Sequence, residues 1–252
     1  MLTQHRKAAI LDALRQDGQV LAKALSERFE VSEDTIRRDL RELAAEGLLQ
    51  RVHGGALPAS TAVAPFAQRQ TQEPEAKLAI AKAAAAMIED GQVVIVDGGT
   101  TSARLVQCLP PTLSATIVTH SPSVAVALVE HPRVDVIVIG GRLFKHSIVT
   151  VGAAAVEAIS HIRADLYFMG VTGVHPTQGL STGDLEEAYI KRALAARAAE
   201  TVVLASAAKL NAASPFSIGD ITLAQTIIVE QETDRALTDP IERRGVTVRR
   251  AG

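Results

Sequence analysis

The chain has one cysteine, Cys108, in 252 residues, so it can form no intramolecular disulfide and a disulfide scaffold is excluded. The seven histidines are scattered, and none stands beside another ligand at zinc-type spacing. No metal site is expected. Long hydrophobic runs are missing too. The apolar stretch Val93–Val96 ends at Asp97, far short of the roughly 20 residues that cross a bilayer, so no membrane segment is expected. The first nine residues lack the order of basic region, apolar run and small cleavage site that marks a secretory signal, which points to the cytoplasm. There is no internal repeat and no low-complexity tract. Nor is there a large charge excess: 26 Lys and Arg face 28 Asp and Glu, a net −2. That total neither supports nor excludes nucleic acid, because phosphate contacts need only a local basic surface.

What is present is a globular composition, 47% hydrophobic and 21% charged, on a chain long enough for one small domain and one of ordinary size. The segment 56–74, ALPASTAVAPFAQRQTQEP, carries three prolines and no helical or strand period, which marks a connection. The expected division is residues 1–57, a linker over 58–74, and residues 75–252.

Three short helices are expected before the linker. The first, over 3–16, places Ile10 and Leu14 on one face and stops at Asp17-Gly18. The second, about 20–29, carries Leu21, Leu25 and Phe29 at helical spacing. The third starts at Ser32, an N-cap residue, with Glu33 and Asp34 in the first turn where the helix dipole favours acids. Its inward side is Ile36, Leu40 and Leu43, and Gly47 closes it. Glu30-Val31-Ser32 between the last two helices makes a helix-turn-helix. The run 48–55, LLQRVHGG, then reads as a short hairpin wing.

This arrangement predicts a DNA-binding face. With Ile36, Leu40 and Leu43 inward, the 3.6-residue period leaves Thr35, Arg37, Arg38 and Arg41 outward. Arginine can bridge guanine O6 and N7, and Ser32 and Thr35 offer hydroxyls to phosphates. Arg51 and His53 on the wing would reach phosphate or the minor groove. Residues 1–56 hold nine basic and nine acidic side chains, so the argument rests on the clustering of Arg37, Arg38, Arg41, Arg51 and His53. A solvated helix face, with a pair such as Arg38 and Glu42 four apart, would show the same residues.

After the linker, strand-like runs at 93–97, 116–119, 134–139, 166–169, 202–205 and 226–229 alternate with helical stretches around 77–88, 100–109, 122–130 and 185–199. This predicts an open α/β sheet, parallel or mixed, covered on both faces. In such sheets ligands bind beyond the carboxyl ends of the strands. The candidates there are Asp97, Gly98, Gly99, Thr100 and Thr101, where a glycine turn opens a helix fit to cradle phosphate. Thr119, Gly140, Gly141 and Gly170 stand at further strand ends. Each glycine alone could equally be a plain turn. Glu187 and Lys191, four apart on a helix, are either an exposed ion pair or a sugar-hydroxyl acceptor beside a phosphate-binding cation. Lys209 is a further cation after a late strand.

The string VSEDTIRRDLRELAAEGLLQRVHGGA, residues 31–56, resembles the signature of the DeoR family of bacterial regulators, and the resemblance extends through nearly the whole remaining chain. It implies that Thr35, Arg37 and Arg38 lie on the DNA-facing helix and that the HGG wing follows. It further implies a sensor domain similar in fold to ribose-5-phosphate isomerase. Asp97, Thr100, Thr101, Gly140, Gly141, Glu187, Lys191 and Lys209 then match the family's DGGTT-like turn, middle-strand GG, EA..KR helix and late lysine. Two positions depart. Ser206 stands where the family usually has aspartate three residues before that lysine, and Ile228-Val229-Glu230 stands where it often reads ITD, so effector contacts are expected to differ.

The expected function is therefore a DNA-binding transcription regulator, a repressor of carbohydrate genes released from double-stranded operator DNA by a phosphorylated sugar, acting as a homo-oligomer and needing no cofactor. It is not expected to be an enzyme. Two other classes compete: a sugar-phosphate isomerase with Glu187 as base and Lys209 stabilising an enediolate, and a DNA-binding protein that answers to no small molecule. A fold alone does not choose among them.

Overall fold

The computed structural model describes residues 2–60 and 66–252. Residues 61–65, part of the expected linker, and Met1 lie outside the described residues.

Helix α1 (Thr3–Asp17) ends on Gly18, whose φ of 71° lets its N–H reach back to the Leu14 carbonyl at 3.0 Å. The second expected helix begins later than its spacing suggests. Val20–Leu21 form a short strand, β1, before α2 (Ala22–Phe29). Strand alternation therefore buries Val20 and turns Leu21 outward, 53% exposed, although Leu21 was expected inside. Helix α3 (Glu33–Ala45) starts on Ser32, whose Oγ accepts from the Thr35 N–H at 3.3 Å. Strands β2 (Leu49–Val52) and β3 (Gly55–Pro58) form the expected wing, with β1 added as a third antiparallel strand on β3.

The two wing glycines have separate causes. Gly54 sits at φ 79° in the turn, and a Cβ on Gly55 would lie 1.9 Å from the Val20 carbonyl oxygen across the β1–β3 pair. Ile10, Leu14, Leu25, Ile36, Leu40, Leu43 and Leu49 make one small core. Beneath it lies an ion pair with no sequence signal. Arg6 grips Asp39 through Nε at 2.5 Å and Nη2 at 3.1 Å, both side chains buried, tying α1 to the inner face of α3.

The described residues of the stretch expected to be a linker carry structure of their own. Ala59 bridges Ala213, and Phe66–Gln70 form a short helix, α4. Beyond it run α5 (Pro74–Ala85), β4 (Val93–Val96), α6 (Thr100–Gln107), β5 (Thr116–Thr119), α7 (Pro122–Ala127) and β6 (Asp135–Val138). Then follow the hairpin β7 (Arg142–Phe144) and β8 (Val149–Val151), α8 (Ala153–Ser160), β9 (Ala164–Gly170), β10 (Gly173–His175), β11 (Gly179–Thr182), α9 (Leu185–Ala195) and β12 (Ala198–Leu204). The chain closes with β13 (Phe216–Gly219), β14 (Thr226–Glu230), α10 (Arg235–Glu242) and β15 (Thr247–Ala251).

Seven strands form one all-parallel sheet in the order β15-β14-β12-β9-β4-β5-β6. Both faces of its central strands β14, β12, β9, β4 and β5 are buried, which is why these read as largely apolar runs, while the edge strands β6 and β15 are partly exposed. Ile95, Tyr167, Met169, Val203 and Ile227 face the core under α8, α9 and α10, while Val94, Val96, Phe168, Leu204 and Ile228 face α5, α6 and α7. Strands β10, β11 and β13 form a separate antiparallel sheet.

The strand order places the site. From β4 the chain winds outward through β5 to β6, then crosses back to β9 on the other side of β4 and winds outward again. The connections leaving β4 and β9 therefore diverge, opening a crevice at their carboxyl ends.

Candidate functional site

The DNA-facing candidates gather where α3 meets the wing. Thr35, Arg37, Arg38 and Arg41 from α3 and Arg51 from β2 line one shallow concavity together with Asp34. Ser32 and His53 are exposed at its margins, at the start of α3 and the tip of the wing. Arg37 is engaged on its own helix, 2.6 Å from Glu33 and 3.2 Å from Asp34. Glu42, the partner available to Arg38 on spacing, pairs with Lys7 of α1 at 2.9 Å instead. Among the described residues no ion pair holds Arg38, Arg41 or Arg51, so three exposed guanidinium groups share one surface.

The second site is a cavity with about 740 Å³ of empty space, its mouth included, at the diverging ends of β4 and β9. Its floor is the turn Gly98-Gly99 and the start of α6, with Thr100, Thr101 and Ser102. Gly98 has no room for a side chain, since a Cβ there would meet Val149 Cγ1 at 2.1 Å. Gly170, Val171 and Thr172 form a second wall, and Thr182, Gly183, Asp184, Glu187 and Lys191 a third. That third wall is set by the N-cap of α9, where Asp184 Oδ1 accepts from the Glu187 N–H at 3.0 Å. Lys209 closes one side from the turn after β12, and Phe144, His146 and Ser147 lie across another from the β7–β8 hairpin.

Asp97 organises this site from below. Its buried carboxylate accepts from Lys191 Nζ at 2.5 Å, from His120 Nε2 at 2.7 Å, and from the N–H groups of Gly98 and Gly170 at 2.8 Å each. Burial would raise its pKa, but Lys191 and His120 outweigh that and hold the carboxyl well below its usual range. With its lone pairs occupied, Asp97 does not line the cavity; it positions Lys191 within it. His120 Nδ1 in turn lies 2.9 Å from the Thr150 carbonyl, linking Asp97 to β8.

Lys209 has the opposite electrostatics. Burial, then the nearby cations Arg69 and Lys77, lower its pKa from 10.5 to about 7. The Tyr167 phenol is buried; desolvation, then the charge of Asp97, raises its pKa well above 10.

The structure thus brings Gly98, Gly99, Thr100, Thr101, Gly170, Glu187, Lys191 and Lys209 to one cavity. Four expected residues do not line it. Asp97 lies beneath, as described. Thr119 is buried with Oγ1 donating to the Val96 carbonyl at 2.7 Å. Gly140 and Gly141 make the entry to the β7–β8 hairpin, where a Cβ on Gly141 would lie 2.8 Å from the Val151 carbonyl oxygen. The glycine character of Gly141 serves backbone packing, whereas a Cβ on Gly140 would meet nothing within 4 Å. Glu187 and Lys191 are both buried and do not pair with each other, so they are not the exposed ion pair their spacing allows. The departing positions are occupied as well: Ser206 Oγ donates to Glu73 at 2.7 Å, and Glu230 accepts from the Ala207 N–H at 3.0 Å, holding the turn that carries Lys209.

Sequence reasoning missed Arg69, His120 and the hairpin residues. Arg69 sits in a stretch without periodicity, and His120 reaches Asp97 across 23 positions, a distance no local pattern reports. Thr182 and Asp184 had a local signal, the start of the helix that carries Glu187.

Residues 6–62 match the family described as a DeoR-like helix-turn-helix domain, and residues 72–231 match the DeoR C terminal sensor domain. The chain is 32% identical over 250 residues to the HTH-type transcriptional regulator GlpR of Haloferax volcanii, covering 98% of both chains. It is 30% identical over 231 residues to the glycerol-3-phosphate regulon repressor of Escherichia coli, covering 91% of this chain and 92% of that one. Among solved structures, ribose 5-phosphate isomerase A from Methanocaldococcus jannaschii aligns over 55% of each chain at 19% identity with a TM-score of 0.41, a partial likeness.

Proposed function

Because the chain belongs to the DeoR family of transcriptional regulators, we propose that residues 1–57 read double-stranded operator DNA, that residues 75–252 sense a phosphorylated sugar or related metabolite, and that 58–74 connect the two. The observation that carries this reading is a single one: a cavity whose cations and amides suit an anion occurs in the same chain as an arginine-faced recognition helix. The start of α6, with the Thr100 and Thr101 hydroxyls, offers N–H groups to a phosphate, and Lys191 and Lys209 supply charge. Across the cavity, the Glu187 and Asp184 carboxylates and Thr182 suit the hydroxyls of a sugar or polyol, while Phe144, Val171 and Leu204 offer apolar surface to its carbon skeleton.

On DNA, α3 lies in the major groove with Arg38 and Arg41 toward base edges or phosphates, and Arg51 and His53 of the wing reach the backbone. Two copies joined through their sensor domains set two recognition helices about one turn, ~34 Å, apart on one face of the duplex. Ligand releases the protein by binding better to an arrangement in which those helices are out of register, since equal affinity for both arrangements would shift nothing. The outcome is repression of carbohydrate genes, relieved by ligand.

Fluorescence anisotropy on the protein's own upstream DNA at fixed salt, with and without a panel of phosphorylated sugars and glycerol 3-phosphate, tests the reading. Specific binding that one compound relieves is expected. Specific binding that no compound relieves would leave a DNA-binding protein whose cavity serves another purpose.

A further inference from the structure

We propose that Arg69, contributed by the connection between the two halves of the chain, is a ligand-binding residue of the cavity, so that an anionic ligand clamps the connection onto the sensor domain. This rests on the reading of the cavity as an anion site.

The connection is built into the cavity wall at both of its described ends. Where it leaves the wing, Ser60 donates to the carbonyl of Thr172, itself a wall residue, and Ala59 bridges Ala213. At its far end α4 places the Arg69 guanidinium in the cavity beside Lys209. Two contacts fix that helix. The Phe66 N–H donates to the His146 carbonyl at 3.1 Å, docking α4 on the hairpin across the mouth, and the buried Lys77 ammonium bonds the carbonyls of Arg69 and Gln72 at 2.5 Å each.

The guanidinium lies over the Phe66 ring, 5.9 Å from its centroid, but makes no hydrogen bond among the described residues. Its Nε is buried without a hydrogen-bond partner among the described residues, and burial lowers its pKa despite the pull of Glu187 and Asp97. No carboxylate pairs with it among the described residues: Glu187, whose charge it feels most, makes only a long 3.5 Å contact with Thr182. Asp97 is taken by Lys191 and His120, Asp184 caps α9, and Glu73 accepts from Ser206. A planar fork with an open N–H, set among further cations, matches a phosphate or carboxylate held through two parallel hydrogen bonds. An occupant that bonds Lys191 and Lys209 from the sensor domain and Arg69 from the connection would be shared between them. Its presence would thereby be felt by the segment that leads to the wing.

The test is hydrogen–deuterium exchange on the full chain with inorganic phosphate as the probe, against chloride at equal ionic strength. In the unaltered protein phosphate slows exchange both in peptides covering 98–102 and in peptides covering 66–70. In Arg69→Gln the protection at 98–102 remains and that at 66–70 is lost; Arg69→Lys, which keeps the charge without the fork, restores part of it. Equal protection at both places in Arg69→Gln, or protection confined to 98–102 in the unaltered protein, would overturn the role of Arg69 while leaving the anion site standing. Protection at neither place in the unaltered protein would overturn both.

Discussion

Burial strips water from the Lys209 ammonium and other cations stand beside it, and its acidity follows. With a folded pKa of about 7 against an ordinary 10.5, the folded ligand-free protein sheds a proton that the unfolded chain keeps. Its stability therefore rises with pH across that window. Anion binding runs the other way, because a bound anion favours the charged amine. Sulfate, whose own charge is constant here, should bind with proton uptake and lose affinity as pH rises through about 7, by up to tenfold per pH unit. Calorimetry in buffers of different ionisation enthalpy measures the uptake; a pH-independent affinity would place the anion away from Lys209. On the other face, Arg38→Ala should weaken operator binding by about 1–3 kcal/mol with altered base preference if the side chain reads guanine, or flatten the salt dependence by about one unit of slope if it meets phosphate. Arg37→Ala should cost less, because Glu33 and Asp34 already hold that guanidinium. Salt titrations of both variants decide the ranking.

At the scale of elements, the wing and the recognition helix each hang on one tight contact. Alanine at Gly55 would drive a methyl into the Val20 carbonyl, forcing β1 and β3 apart at a cost of about 1–3 kcal/mol. The expected result is loss of operator affinity with sulfate binding intact. Asp39→Ala leaves the Arg6 guanidinium buried and unpaired, which typically costs about 3–5 kcal/mol, and should lower the first melting step by calorimetry without moving the second. Much at this scale is legible in the sequence. The Ser32 cap, the inward Ile36, Leu40 and Leu43, and six of the strands announce themselves through period and run length. Others do not. In α10 Pro240 interrupts the helical pattern, and β15 reads Thr-Val-Arg-Arg-Ala along an edge, with two adjacent arginines. Neither signal resembles that of the buried centre. The three strands β10, β11 and β13 are three or four residues long and mix apolar with small or polar residues, and only their pairing defines them.

For the whole molecule, the pairing of β4 with β9 rather than with two sequence neighbours decides where a ligand can lie. Local spacing picked out the glycine turn, the α9 pair and Lys209 separately; their convergence depends on strand order, which periodicity does not encode. Asp97 illustrates the limit. Its place at a strand end is visible, yet its four donors come from Lys191, His120, Gly98 and Gly170, so its role as support for another side chain emerges only in three dimensions. Two partly separate cores imply two partly separate stabilities. A saturating anion at a hundred times its Kd should raise the sensor domain's unfolding free energy by about 2.7 kcal/mol and leave that of the first 57 residues unchanged, readable as a shift in one of two calorimetric steps. A shift of both together would mean the halves unfold as one unit.

The strand order also sets a timetable. The winged element closes within contiguous chain, β2 folding back on β3 and β1 pairing with β3, so it is complete once Pro58 has left the ribosome. The cavity cannot close until Lys209 has followed, some 150 residues later. At about 5–20 residues per second of synthesis, that is a lag of roughly 8–30 s. During this interval the newborn chain carries the surface proposed to face DNA and lacks the pocket proposed to answer a ligand.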